Sequence, residues 1–437
     1  MKTPRQLAYE TLLKIERDKA YSNLALDFSL TEEGGDMRDS AFVSALVYGV
    51  TERLITLDYV LSAHLKEPMG KLKPQVRTVL RMGVYQLLFM DKVPESAAVN
   101  ESVILAKINC RYASGLVNAV LRSVARTGLI LPEDNEVKRL CVEYSCPEWL
   151  VGLLAEEYGE KRTGEILKMF IGKPRTFIRV NTLKTDTVTL ASLLEGERIR
   201  TKQCEYSSDA LEVLDAAKLN RTDAYLKGLF HVEDISSQLC CMALEPKSGD
   251  TVMDMCASPG GKSFTLAQMM GNKGVLYSFD KAENRVGLIK QGAERLGIGI
   301  IKAGVNDACV FNTKLPGADK VLCDVPCSGF GVMGRKPEIK YKPKEELDNL
   351  PDVQYRILNT SANYVKKGGR LVYSTCTLSP MENTRVCEKF LSENPSFVSQ
   401  RALPEIKRGN ASDFLTLTPD VNGSDGFFIS VFTRVSE

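Results

Sequence analysis

Histidine is nearly missing from this 437-residue chain, which has only His64 and His231. That shortage argues against Ser-His-Asp and Cys-His catalysis, because both need an imidazole to carry the proton. It also removes the commonest zinc ligand, and no Cys-x-x-Cys pair takes its place: Cys323 and Cys327 are four apart, and Cys240 and Cys241 are neighbours. No metal site is expected. An excess of one charge is missing too, since 57 basic and 55 acidic residues leave a net charge of +2. A nucleic-acid partner would therefore have to meet a local basic face. No stretch approaches the roughly 18 uninterrupted apolar residues of a membrane span. The N-terminal Met-Lys-Thr-Pro-Arg-Gln lacks the apolar region of a signal peptide. These absences predict a cytoplasmic protein with no membrane partner.

What is present describes a globular chain, with 44% hydrophobic and 26% charged residues. Its length exceeds one ordinary core, so two or three domains are expected. Twelve cysteines occur, and in a reducing compartment they stay thiols. Residues 1–130 read as an all-α domain. Apolar residues recur at three- and four-residue spacing over Arg5–Arg17, Ser40–His64, Pro74–Met90 and Ser114–Arg126. Residues 131–240 read as a small α+β domain, with a helix over Pro147–Tyr158 and strand-like alternation at Thr176, Ile178 and Val180. Its Arg175, Arg179, Arg198, Arg200 and Lys202 form a basic stretch that serves RNA contact and a plain solvated surface equally well.

Residues 241–437 alternate strands and helices, which predicts a mostly parallel, doubly wound α/β sheet. Strands are expected at Thr251–Met255, Val275–Phe279, Ile300–Gly304, Lys320–Cys323 and Arg370–Ser374. An antiparallel edge pair is expected from Phe414–Leu417 and Phe427–Thr433. Ligands of such sheets bind at the carboxyl ends of the strands. The first strand ends there in Asp254-Met-Cys-Ala-Ser-Pro-Gly-Gly-Lys-Ser. This is not a phosphate loop, because the glycine required five residues before Gly261 is Cys256, and the adjacent Gly260 and Gly261 break the dinucleotide spacing. Glycines that let backbone approach a ligand, followed by open helix amides, suit a carboxylate. Asp280 at the end of the second strand suits the two hydroxyls of a ribose. Ribose plus carboxylate without phosphate describes S-adenosylmethionine. Asp307, after the third strand, is placed to reach the adenine.

Two cysteines stand at the same edge, Cys327 in Asp324-Val-Pro-Cys-Ser-Gly and Cys376 in Tyr373-Ser-Thr-Cys-Thr. A thiolate suits one reaction in particular. Carbon 5 of cytosine is too weak a nucleophile to take a methyl group until a thiolate has added to carbon 6. Asp324 is placed to protonate or hydrogen-bond the ring at N3. Residue chemistry alone leaves either cysteine as the nucleophile.

With these motifs in place, the chain resembles the RsmB (Sun/Fmu) group of 16S rRNA cytosine-5 methyltransferases over nearly its whole length. Leu46-Val-Tyr-Gly-Val, Tyr85-Gln-Leu-Leu-Phe and Val117-Asn-Ala-Val-Leu-Arg look like the NusB-like RNA-binding domain of that group, and Phe230-His-Val-Glu-Asp-Ile-Ser-Ser-Gln and Asp425-Gly-Phe-Phe-Ile also match. The resemblance implies a multidomain fold: an all-α NusB-like domain, a small α+β middle domain and a Rossmann-like α/β S-adenosylmethionine-dependent methyltransferase domain. It implies Cys376 as nucleophile and Cys327 as the group that assists release. Cofactor contacts carry over to Cys256, Ala257, Ser258, Pro259, Gly260, Gly261, Lys262, Asp280, Asp307 and Asp324. The implied partner is 16S rRNA or an assembling small ribosomal subunit, met by a monomer. Three positions depart from the pattern: Ser258 where alanine is common, Cys146 where a histidine often precedes Pro-Glu-Trp, and Gly334 where a basic residue is usual.

Overall fold

A computed structural model describes residues 2–18, 29, 37–215, 219–406 and 413–436. The chain divides into two compact units, one of Met1–Lys173 with Met333–Lys342 and one of Pro174–Val332 with Pro343–Glu437.

The first unit is helical because its apolar residues keep helical spacing. Helix Ser114–Thr127 buries Val117, Val120, Leu121 and Val124 along one stripe and stops at Gly128, whose φ of 68° is open to glycine. Helix Pro74–Phe89 begins with its proline in the first turn. One reading needs correction. Ser40–His64 is not one helix but two, Met37–Glu52 and Leu54–Ser62, bent by 72°. The break is held from outside: Ser145 Oγ accepts the Ile55 amide at 2.9 Å, and Thr56 Oγ1 donates to the Val142 carbonyl at 2.5 Å. A further helix that the spacing did not mark, Glu95–Asn109, is buried through Ala98, Val99, Ser102, Leu105 and Ala106. Ile104 and Ile108 are exposed on its other side and blur the apolar stripe. Among the described residues no single helix is long and apolar enough to cross a membrane.

Residues 333–342 complete this unit. Lys340 Nζ donates to the Glu52 carbonyl at 2.7 Å and to the Tyr144 carbonyl at 3.2 Å. Tyr341 Oη donates to the same Glu52 carbonyl at 2.8 Å. A cation among carbonyls at a helix C-terminus is favourable, yet burial still pushes the Lys340 amine down to about 8.

The second unit holds two sheets. A four-stranded antiparallel sheet contains β1 (Thr176–Val180), β2 (Thr201–Gln203), β3 (Ala210–Val213) and β4 (Phe230–Val232), in the order β2-β3-β1-β4. Here the basic stretch is largely neutralised. Arg175 pairs with Glu212 at 2.6 Å, buried Arg179 with Asp209 at 2.9 Å, and Arg200 with Asp215 at 2.8 Å.

The larger sheet contains β5 (Thr251–Asp254), β6 (Val275–Asp280), β7 (Ile301–Val305), β8 (Ala318–Asp324), β9 (Val365–Thr375), β10 (Phe397–Gln400), β11 (Leu415–Leu417) and β12 (Phe427–Arg434). Its order is β10-β12-β9-β8-β5-β6-β7, and β11 pairs with β12. Strands β5 to β9 run parallel, and β12 runs antiparallel to β9. Alternate residues feed two cores. Val252, Leu322 and Val372 join one, packed on helices Ile235–Leu244 and Gly261–Met269; Met253, Val321, Cys323, Leu371 and Tyr373 join the other, beside helix Leu350–Ala362. Covering both faces is what parallel strands require. The expected antiparallel pair forms, but not at the edge: β12 lies between β9 and β10. The short β10, with a single buried residue, Phe397, gives too weak a periodic signal to read.

Phe432 of β12 is fully buried, with its ring 5.0 Å from that of Phe390. Phe432→Ala is expected to cost about 3–5 kcal/mol, the usual range for emptying such a site. A lowered urea midpoint for the second unit's transition, at constant m, is the expected reading.

Candidate active site

The order β6-β5-β8 places a crossover between β5 and β8, so their carboxyl ends diverge into an open crevice. The glycine turn fills one wall. The Ala257 amide donates to the Phe279 carbonyl at 2.7 Å, and the Gly260 amide to the Ala257 carbonyl at 2.8 Å. Gly260 has φ 116°, and a Cβ there would collide with the Phe264 ring. Helix Gly261–Met269 starts immediately after, with no side-chain cap on its first amides. Its free amides, in a turn too tight for a phosphate loop, fit the carboxylate of an amino-acid ligand. Cys256 is half-buried in the turn, and burial raises its thiol well above the ordinary value. Ser258 Oγ donates to the Arg285 carbonyl at 3.2 Å, tying the turn to the next helix, while Pro259 stands exposed.

Asp280 closes β6. Its Oδ1 accepts the Ala282 amide at 3.0 Å, and Arg285 Nε lies 3.4 Å from Oδ2. Because Asp280 pairs with Val305 in register, Asp307 falls just beyond it at the same edge. Lys281 Nζ, 2.9 Å away, and the Cys309 amide hold the Asp307 carboxyl below the usual range.

The other wall is β8 and β9. Asp324 and Ser374 are register partners, and Ser374 Oγ donates to Asp324 Oδ1 at 2.9 Å. The second oxygen, Oδ2, accepts from Lys262 Nζ at 2.7 Å. Lys262, among the residues that the resemblance places at the cofactor, directs its ammonium to Asp324 and, at 3.2 Å, to Ser237 Oγ. Burial opposes its charge, but Asp324 outweighs burial and holds Lys262 protonated above its usual range. Beyond these strands Cys327 Sγ and Cys376 Sγ lie 3.3 Å apart. The hydrogen bond with Cys376, followed by burial, raises the Cys327 thiol well above its ordinary value. The Gly331 amide donates to the Cys376 carbonyl at 2.9 Å, and a Cβ on Gly331 would collide with the Gly426 carbonyl, so only glycine fits there. Among the described residues no group of histidine, cysteine, aspartate and glutamate side chains is placed to hold a metal.

Sequence reasoning missed Ser374, Ser237 and Asp254. Ser374 sits two residues before Cys376, a weak signal, and Ser237 is marked only by its place in the Phe230–Gln238 stretch that matches the family. Asp254 ends β5 fully buried, and burial pushes its carboxyl up to about 7 although Ser263 Oγ donates to it at 2.7 Å.

A parallel sheet with one antiparallel strand inserted next to β9, and a glycine turn facing an acidic strand end, defines a Rossmann-like S-adenosylmethionine-dependent methyltransferase domain. The comparisons agree. Residues 241–433 match the family described as 16S rRNA methyltransferase RsmB/F, residues 2–126 match the NusB family, and residues 146–220 match its ferredoxin-like domain. The chain is 38% identical to the probable ribosomal RNA small subunit methyltransferase B of Bacillus subtilis, covering 97% of each. It is 33% identical to that of Synechocystis, covering 98% of this chain and 99% of that one. Among solved structures, PH0851 superposes with a TM-score of 0.84 at 24% identity over 99% of both chains. NSun6 from Pyrococcus horikoshii, solved with SFG, gives 0.61 at 23% identity over 67% of this chain and 99% of that one. The chain belongs to the RsmB/F family of rRNA methyltransferases, and its methyl donor is S-adenosylmethionine.

The Asp254 carboxyl yields a pH test. Its folded value of about 7 lies above the ordinary value of about 3.9, so between the two the unfolded chain releases a proton that the folded chain keeps. Stability from this group is therefore full at low pH and lost as pH rises toward neutrality. Between about pH 5 and pH 8 the loss amounts to roughly 2–3 kcal/mol, and Asp254→Asn is expected to remove it. Urea unfolding of both proteins at the two pH values checks this.

Proposed function

We propose that this protein methylates carbon 5 of a cytosine in 16S rRNA through a covalent adduct between Cys376 and carbon 6. The observation that carries the reading is the pair of thiols 3.3 Å apart beside Asp324. Bound S-adenosylmethionine supplies an electrophilic methyl group. The open amides after Gly260 and the turn from Cys256 to Gly261 hold its amino-acid end, Asp280 takes the ribose hydroxyls, and Asp307 faces the adenine. Lys262 and Ser374 fix both oxygens of Asp324, so that a proton shared between the carboxyl group and the cytosine N3 would be held in place as the ring gains charge.

The Cys376 thiolate adds to carbon 6, and the electron pair released toward carbon 5 takes the methyl group. The adduct must then lose the carbon 5 proton and expel the Cys376 thiolate. Cys327 is suited to that second half. The hydrogen bond shared with Cys376 is the first cause of its raised pKa, and that bond is lost once Cys376 is bonded to carbon. Once its own proton has passed to water, the Cys327 thiolate takes the carbon 5 proton as the Cys376 thiolate leaves carbon 6.

The same reading gives labour to the spans 1–130, 131–240 and 241–437, with RNA docking in the first and chemistry in the last. The basic stretch of the middle span is tied up in ion pairs. In the first, Tyr112 is 70% exposed with Lys73 Nζ 5.2 Å above its ring. Lys107, in the last turn of helix Glu95–Asn109, and Arg111 precede it in the chain and are exposed. Exposed cations near an exposed aromatic ring in the chain suit a nucleic acid, through phosphate contact and base stacking.

Two experiments test these roles. Cys376→Ala is expected to give neither product nor adduct, whereas Cys327→Ala attacks and methylates but releases slowly. The latter then accumulates as a covalent RNA complex on a denaturing gel. A covalent band from Cys376→Ala and none from Cys327→Ala would reverse the assignment, and no difference would make both thiols structural. For docking, the K107E/R111E double variant is expected to lose about tenfold or more in rRNA affinity, with a shallower salt dependence, at unchanged S-adenosylmethionine affinity.

A further inference from the structure

Two thiols 3.3 Å apart are carried on separate loops, and strand pairing alone does not set a gap that small. Cys327 lies three residues past the end of β8, and Cys376 one residue past β9. Within each loop, the residue after the cysteine is bound to one buried carboxylate. The Ser328 amide donates to Glu382 Oε2 at 2.8 Å. Thr377 Oγ1 lies 3.5 Å from Glu382 Oε1 and shares a 2.7 Å hydrogen bond with Ser328 Oγ. Gln354 Nε2 donates to Glu382 Oε2 at 2.9 Å and to the Pro326 carbonyl at 3.1 Å, so the Cys327 loop is gripped on both sides of the cysteine.

The carboxylate is itself anchored. Glu382 is 4% exposed, and its carbonyl accepts the Tyr373 hydroxyl of β9 at 2.5 Å. Next to it, Asn383 Nδ2 donates to the Thr377 carbonyl at 2.9 Å while its Oδ1 accepts Thr375 Oγ1 at 2.5 Å. Burying a charge is costly unless its lone pairs are filled, and three donors converge on this one, one from each cysteine loop and Gln354 from helix Leu350–Ala362. An apolar residue of similar size would leave the Ser328 amide without its acceptor.

We propose that Glu382 is a positioning residue that sets the spacing of Cys327 and Cys376. Its role in methylation rests on the reading of the thiols given above; its role in spacing does not. Diamide provides the independent readout, since it accepts the two hydrogens released as the thiols join in a disulfide. The expected result is that Glu382→Ala slows Cys327–Cys376 cross-linking by about tenfold or more, as befits the loss of charge-assisted hydrogen bonds. Methylation kcat falls at least as far, while the affinity for S-adenosylmethionine stays within about twofold. Glu382→Gln keeps an oxygen for Ser328 and restores most of both rates. Thr377→Val, which removes the bridge between the loops and the Thr377 contact to Glu382 but keeps the Ser328 amide on the carboxylate, gives an intermediate loss and serves if the alanine variant does not fold.

Cross-linking and methylation at wild-type rates in Glu382→Ala would overturn the proposal. So would parallel loss of thermal stability, cofactor affinity and activity with no rescue by glutamine. Because cross-linking needs neither RNA nor methyl donor, slowed cross-linking without any adduct from Cys327→Ala would sink the catalytic reading and leave the spacing role standing.

Discussion

The parallel pairing of β8 with β9 is the constraint on which the site depends. It sets Asp324 opposite Ser374 and delivers two loops to the same point beyond the sheet edge. Parallel strands need both faces covered, and here alternate side chains of the same strands enter separate cores. With that packing in place the strand ends are stiff, and the chemistry sits on loops that leave a rigid base. A shift of one residue in this register would turn every side chain of β9 to the wrong face. Asp324 would lose Ser374, and the thiols would part.

Charge is handled differently at the two walls of the crevice. At the cofactor wall Asp280, with its side chain 6% exposed, and Asp307, 37% exposed just past β7, each have a cation beside them whose own side chain lies in solvent: Arg285 for Asp280 and Lys281 for Asp307. At the thiol wall Lys262 and Asp324 form a pair with side chains 13% and 26% exposed. Such a pair is weak evidence for stability, because desolvation offsets much of the attraction. Its value here is geometric. Lys262 stands at the start of the helix after β5 and Asp324 at the end of β8, so the pair spans the crossover and joins the glycine turn to the thiol wall.

Where pattern reading failed, the deciding partner was distant in sequence. The bend at Arg53 depends on Ser145 and Val142, roughly ninety positions along. Helix Glu95–Asn109 carries exposed Ile104 and Ile108 opposite its buried stripe, so its apolar residues mark two faces instead of one. Strand β10 is only four residues long and takes its place from β12. The arginines of the middle region looked free in the linear sequence. Glu212, Asp209 and Asp215, supplied from neighbouring segments, neutralise three of them.

The sequence alone determined the alternation of strands and helices after residue 240, the glycine turn, the acidic ends at Asp280 and Asp324, and the presence of Cys327 and Cys376 beyond adjacent strands. These are local patterns: apolar runs, glycines where backbone must turn, and polar residues where a strand leaves the core. Only the tertiary structure decided that Lys262 serves Asp324, that the two thiols lie 3.3 Å apart, and that Glu382 reaches both of their loops. Those contacts join residues 49 to 62 positions apart, or tie a third segment to both loops. A side chain's reach is a few ångströms, so its partners are chosen by how the strands pair and pack, which no local spacing encodes.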